Sequence, residues 1–226
     1  MFSKFFYTFA ARILHHYAAM ELREHIMEKA IALFYSRGCK AVTMDEIASE
    51  AGISKRTLYE QFSDKEALLE GGIQWWNQKN QAAAAAIIQK AENTLDVLLK
   101  IHHFQSEQMV KMSIELVSDV KKYYHRVFKH TILATREEHR ARTKAFLLRG
   151  QAEGIFRADI NIDLINELFE MMFYFIHDNN KALIQKYSYE EFFRGTTLCF
   201  IRGISTEKGI NYLDEHFMNK EYDNKM

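Results

Sequence analysis

The chain has 226 residues, 48% of them hydrophobic, and its 30 basic and 30 acidic side chains cancel to a formal net charge of zero. That is enough apolar material for a substantial core, and it leaves no overall polycation to grip nucleic acid without discrimination. The absence of proline and the low count of 9 glycines disfavour a turn-rich β-sandwich and favour an all-α fold. The two cysteines, Cys39 and Cys199, make neither a disulfide framework nor a zinc site and fit a reducing cytoplasm.

Residues 1–20, MFSKFFYTFAARILHHYAAM, are apolar and aromatic and lack acids. Lys4, Arg12, His15 and His16 interrupt the run, so it is too broken to span a bilayer and does not read as a secretion signal. Two readings stay open. Met20 is the true start, or the segment is a basic arm or helical extension that lies on DNA, on a neighbouring helix or, as an amphipathic anchor, on a membrane surface.

From about Glu21 to Arg37 the residues Leu22, Ile26, Ala30, Leu33 and Phe34 recur at helical spacing, and Gly38 ends the helix. Thr43 to Lys65, TMDEIASEAGISKRTLYEQFSDK, then reads as two short helices across a tight turn. Thr43 and Glu46 have capping-box spacing, and Gly52 supplies the left-handed residue that closes the first helix. Ser54 caps the second helix. Leu58 and Phe62 point into a core, while Lys55, Arg56, Thr57, Tyr59, Glu60 and Gln61 are left on the other faces. Bases in the first turn oppose the helix dipole unless an anion arrives. A short helix with bases, hydroxyls and an amide at its exposed start, braced by a second helix, suits the DNA major groove. Acids outnumber bases ten to seven from Glu21 to Gly71, which argues for a focused contact surface rather than strong nonspecific binding.

These residues carry a resemblance. Leu22 to Leu69 is similar to the DNA-binding domain of the TetR (tetracycline-repressor-like) transcriptional regulators, through Ala32, Leu33, Phe34, Gly38, Thr43, Ile47, Ala48, Ala51, Gly52, Ile53, Ser54, Thr57, Leu58, Tyr59, Phe62, Lys65, Glu66 and Leu68. Cys39 departs from it where an aromatic is common. Glu60 departs where a His, Tyr or base is frequent, and its carboxylate could accept from cytosine N4. The resemblance implies a homodimer on near-palindromic double-stranded DNA. The DNA-contacting set is Thr43, Ser54, Lys55, Arg56, Thr57, Tyr59, Glu60 and Lys65. Lys65, with the start of the helix that Ser63 or Asp64 caps, offers a phosphate seat.

The expected domains are an extension (1–20), a three-helix helix-turn-helix domain (21–68) and a helical effector-binding and dimerisation domain (69–226). Gly71-Gly72 is a candidate soft point in the connecting helix. Further helices are expected from about Leu95, between Ser113 and Gln151 with REEHRAR near a helix middle, from Asp163 and from Ser188 to Gly203. By resemblance, 163–186 and 189–205 form the dimer interface. Candidate lining residues for a small apolar or aromatic effector are Trp76, His102, Phe104, Met109, Tyr124, Phe128, Met172, Phe173 and His177, with Trp75, His103, Met112, Tyr123, Met171 and Tyr174 beside them. For each one, plain core packing is the alternative. The ten histidines lack the spacing and companions of a metal site, and no cofactor is expected. Cys199 is expected to be a core thiol. No nucleophile–base pair, phosphate loop or dinucleotide motif appears, so the chain does not read as an enzyme. A regulator without an effector, and a membrane-associated interaction protein anchored by 1–20, are the rival readings.

Overall fold

The computed structural model describes residues 2–109, 114–177 and 186–218, the side chains of 2–18, 108–109, 114–115, 117–118, 132 and 173–177 excepted. The order is α1 (Phe2–Arg37), α2 (Met44–Glu50), α3 (Lys55–Gln61), α4 (Lys65–Lys90), α5 (Thr94–Met109), α6 (Ile114–Tyr123) and α7 (His125–Val127), which runs into a π-helical turn, Phe128–Leu133. Then come α8 (Arg136–Ala152) and α9 (Ile162–His177). α10 (Tyr189–Phe193) joins α11 (Cys199–Ile204) through a π-helical turn, Arg194–Leu198, and α12 (Glu207–Leu213) ends in another, Asp214–Met218. Among the described residues extended pairing amounts to one antiparallel bridge, Phe156 to Ser205.

The chain divides into two compact units, Met1–Asn80 with Glu115–Thr131, and Gln81–Ile114 with Ile132–Met226. The first is larger than the 21–68 segment read from sequence, because α4 continues to Asn80 within it and α6 and α7 join it. Its core is Ile26, Ala30, Ile31, Phe34, Val42, Ile47, Leu58, Leu68 and Leu69, with Cys39 fully buried among them. Gly72 is where α4 meets α1: a Cβ there would stand 2.9 Å from Ile31 Cγ1. The helix runs unbroken through this pair, so Gly72 serves a close approach rather than a break.

The second unit closes around Leu95, Leu147, Ile155, Phe156, Phe193, Leu198, Ile201, Ile204 and Leu213. Ile155 and Phe156 leave α8 through a left-handed Gly154 (φ +68°), with Ile155 N–H on Gly150 O at 2.9 Å. Thr206 N–H on Ile155 O and Arg157 N–H on Ile204 O, each 2.9 Å, tie this break to the end of α11.

Three sequence expectations differ. REEHRAR opens α8 instead of lying at a helix middle, so Glu137 and Glu138 meet the positive end of its dipole. Beyond the last helix expected, Ser188 to Gly203, the chain adds α12, capped by Thr206, whose hydroxyl accepts from Gly209 N–H. Cys199 is exposed, because it lies one turn from Gly195 and Gly203 on a face away from Leu198, Ile201 and Ile204.

Candidate nucleic-acid interface

α2 and α3 hold their shape through local chemistry. Thr43 sits in an extended conformation (φ −104°, ψ 159°), and its hydroxyl accepts from Glu46 N–H while the Glu46 carboxylate accepts from Thr43 N–H. Arg37 Nη2 reaches the same carboxylate at 2.6 Å. That guanidinium, with the Thr43 donors after it, holds the Glu46 carboxyl down at about 2. Gly52 (φ +67°) closes α2: Ile53 N–H bonds Ala48 O at 3.0 Å and Gly52 N–H bonds Ser49 O at 3.1 Å, the paired bonds of a Schellman end. The chain thereby turns sharply into Ser54.

Ser54 Oγ accepts from Thr57 N–H at 3.0 Å and lies 2.8 Å from Thr57 Oγ1. Leu58 is fully buried and Phe62 nearly so, each contributing about 1.5–3 kcal/mol through burial. Arg23 of α1 lies with its guanidinium 4.0 Å over the Phe62 ring and donates to Gln61 O. It therefore braces the C-terminal end of α3, a role that a lone surface-looking base in α1 did not signal in the sequence. Arg23 also edges a groove of about 290 Å³ between α1 and α4, lined by Met20, Met27 and Trp75 among others.

With the apolar side of α3 fixed, the other side is presented to solvent. Lys55 Nζ pairs with Asp45 Oδ1 of α2 at 2.7 Å, which holds its ammonium above the usual range. Arg56, 89% exposed, pairs with Glu60 at 3.0 Å across one turn. Exposed pairs of this kind are worth at most about 1 kcal/mol, so both bases exchange partners easily when an anion approaches. Tyr59 is 45% exposed. Thr43, Ser54, Lys55, Arg56, Tyr59 and Glu60 are exposed and Thr57 is half-buried.

Lys65 differs from these. It is half-buried, its ammonium 3.4 Å from Lys40 O, and burial draws its pKa down. Asp64 caps α4 by accepting from Ala67 N–H at 2.8 Å. A phosphate at this helix start would share it with that carboxylate. Lys40 N–H donates to Asp119 of α6 at 2.7 Å, and Arg126 of α7 pairs with Glu66 of α4 at 3.1 Å. His130 stands 3.0 Å from Glu70 of α4. These cross-links, tens of residues apart in sequence, gather α6 and α7 onto the helix-turn-helix, and no local pattern announces them.

Residues 26–71 match the sequence profile described as bacterial regulatory proteins, tetR family. The chain carries the tetR-family regulatory domain. It is 27% identical over 146 residues to the HTH-type transcriptional repressor KstR2 of Mycolicibacterium smegmatis, covering 63% of this chain and 71% of that repressor. Over 56 residues it is 45% identical to the HTH-type transcriptional regulator YerO of Bacillus subtilis, covering 25% of this chain and 19% of that one. The fold recurs in a TetR-family transcriptional regulator from Agrobacterium tumefaciens, with a TM-score of 0.67 at 15% identity over 83% of this chain and all of that one (100%). It recurs also in the ketosteroid transcriptional regulator KstR2 of Mycobacterium tuberculosis, with a TM-score of 0.54 at 23% identity over 82% and 95% of the two chains. The chain is thus all-α, with a helix-turn-helix at its N-terminal side and a helical second part, and it falls among DNA-binding regulators of transcription.

The expected effector-lining residues separate between the two units. Trp76, Tyr124 and Phe128 belong to the first unit and His102, Phe104 and Met172 to the second. Trp76 packs on Tyr35, ring centroids 5.5 Å apart. His102 is buried, stacked on Phe193 with centroids 3.5 Å apart and bonded to Glu190 at 2.7 Å. Burial lowers its pKa against the pull of Glu190. The side chains of Met109, Phe173, Tyr174 and His177, and Met112 altogether, lie outside the described residues. Among the described residues no three His, Cys, Asp or Glu are placed to hold a metal, and no helix is long and apolar enough to cross a membrane.

Proposed function

We propose that the protein is a transcriptional repressor that binds a near-palindromic operator as a homodimer, in the cytoplasm, and is released by a small-molecule effector bound in its second unit. The carrying observation is α3: a Ser-capped helix with no acid in its first turn, its apolar side buried and Lys55, Arg56 and Tyr59 facing solvent. Two such helices, one from each protomer, would enter successive major grooves about one helical turn apart. Ser54, Thr43, Tyr59 and Lys65 contact phosphates in this reading, and Lys55, Arg56, Thr57 and Glu60 face the base edges.

Support for the dimer comes from the faces of α9 and α11. Leu164 and Met171, seven residues apart on α9, are 56% and 67% exposed. Along α11 and the π-helical turn before it, Gly195, Cys199 and Gly203 share one exposed side, and nothing lies within 4 Å of a Cβ built on either glycine. Apolar side chains left in water beside a face that permits close approach suit a second copy of the same helices. Relatives named as repressors favour repression over activation. Effector control requires a ligand that binds the DNA-free state more tightly, by about 1–3 kcal/mol of coupling.

The test is selection of bound duplexes from random DNA, with the mass of the complex measured in solution. Inverted half-sites bound by two chains are expected. A single half-site bound by one chain would refute the dimer, and the absence of any selected sequence would refute the regulator.

A further inference from the structure

The seam between α8 and α9, wholly within the second unit, contains buried polar atoms that the fold does not use. Asn166 and Glu170, one turn apart on α9, are each only 2% exposed. One oxygen of Glu170 is engaged by His139 Nδ1 of α8 at 2.5 Å. Its other oxygen, Oε2, is buried with no partner, and so is Asn166 Oδ1. The outer edge of the same seam looks ordinary: Arg140 pairs with Glu167, and Lys144 with Asp163 at 2.6 Å, all four at least 43% exposed.

This contrast has an energetic meaning. Exposed pairs cost little to keep and contribute little. A buried carboxylate oxygen without a donor costs the fold free energy on the order of 1–3 kcal/mol or more, and an apolar residue there would pack without that cost. Retaining two orphan acceptors side by side is intelligible when something outside the chain supplies the donors. An ionised carboxylate accepts only, and an amide can turn its oxygen to match it. What fits is therefore a group rich in N–H or O–H. A carboxylate head brings acceptors alone and leaves both orphan oxygens without a donor.

We infer that the α8–α9 seam is a ligand-binding site whose Glu170 and Asn166 receive the hydrogen-bond-donating head, hydroxyl or ammonium, of a small apolar or aromatic effector, to the exclusion of carboxylates. This rests on the proposal that an effector exists and adds its polar chemistry. The sequence held a trace of it: Asn166 and Glu170 interrupt an otherwise apolar stripe at the spacing of one helical turn.

The full chain is titrated with benzylamine, benzyl alcohol and benzoate, which share a ring and differ in the head, and binding is read by calorimetry and by the unfolding midpoint. Benzylamine or benzyl alcohol is expected to bind and benzoate not. Glu170→Gln weakens benzylamine roughly tenfold while sparing the alcohol, the loss of a charge-assisted bond. Asn166→Leu weakens both. Equal binding of benzoate, binding by none of the three, or probe affinities unchanged in Glu170→Gln and Asn166→Leu would each overturn the inference. DNA affinity is measured separately. A probe that binds at the seam without changing DNA affinity upholds the site and refutes effector release.

Discussion

Replacing Ser54 by Asp separates the stability of α3 from its binding of DNA. Aspartate caps a helix as well as serine does, so the bond from Thr57 N–H, 3.0 Å in the native chain, is kept. The new charge arrives at the positive end of the dipole, beside Lys55 and Arg56 in a first turn that holds no acid. It should stabilise the free protein by about 0.3–1 kcal/mol. On the duplex the sign reverses, because the carboxylate takes the place a phosphate would fill. At an effective dielectric of ~20 and a separation of ~6 Å, two like charges repel by about 2.8 kcal/mol. After partial screening this corresponds to an affinity loss of roughly tenfold or more, shrinking as salt shortens the Debye length below about 10 Å. Urea unfolding gives the first quantity, and fluorescence anisotropy with a selected duplex at two ionic strengths gives the second. Ser54→Ala serves as the control: it loses the cap, about 1 kcal/mol, with no new charge. A Ser54→Asp chain that binds DNA as tightly as the native one would refute the placement of α3 against the duplex.

Three further outcomes are expected. Arg56→Ala should relax the preference for particular bases by about 1–3 kcal/mol at one position per half-site, whereas Lys65→Ala should weaken all sequences alike and lower the salt slope by about 1, both read from binding isotherms over a salt series. The Cys39 thiol is pushed up to about 12, chiefly by burial, while Cys199 is exposed on the face assigned to the dimer; a thiol reagent at neutral pH should leave Cys39 untouched and modify Cys199 faster as dilution separates the protomers. A rate for Cys199 independent of protein concentration would count against that interface. The Glu46 carboxyl is depressed from 4.5 to about 2, so its contribution to stability is fully present above pH 4.5 and disappears as pH falls toward 2. Glu46→Gln should flatten acid unfolding in that window and leave its pH dependence above pH 5 unchanged; an unaltered acid limb would show that the Arg37–Glu46–Thr43 cluster does not hold the fold.

Much of the DNA-binding unit was legible in sequence because its signals are local. Thr43 with Glu46, Gly52, and Ser54 with Thr57 act within one turn of backbone, and each bond they imply is present. The spacing of Leu58 and Phe62 sufficed to say which side of α3 is buried. The half-burial of Lys65 was not legible, because its ammonium is held against Lys40 O, 25 positions away. Cys199 misled for a similar reason: an apolar stretch has two sides, and only packing selects which one meets the core.

The sequence by itself determined the two helices of the helix-turn-helix, their caps and the chemistry displayed on α3, since these follow from hydrogen bonds and side-chain periods that close within a few residues. Only the tertiary structure decided that α6 and α7 belong with the helix-turn-helix, that Arg23 props the end of α3, and that Asn166 and Glu170 are buried with atoms to spare. Those facts concern groups brought together across long stretches of chain. Burial and the absence of a partner are properties of the packed whole, which no window of neighbouring residues contains.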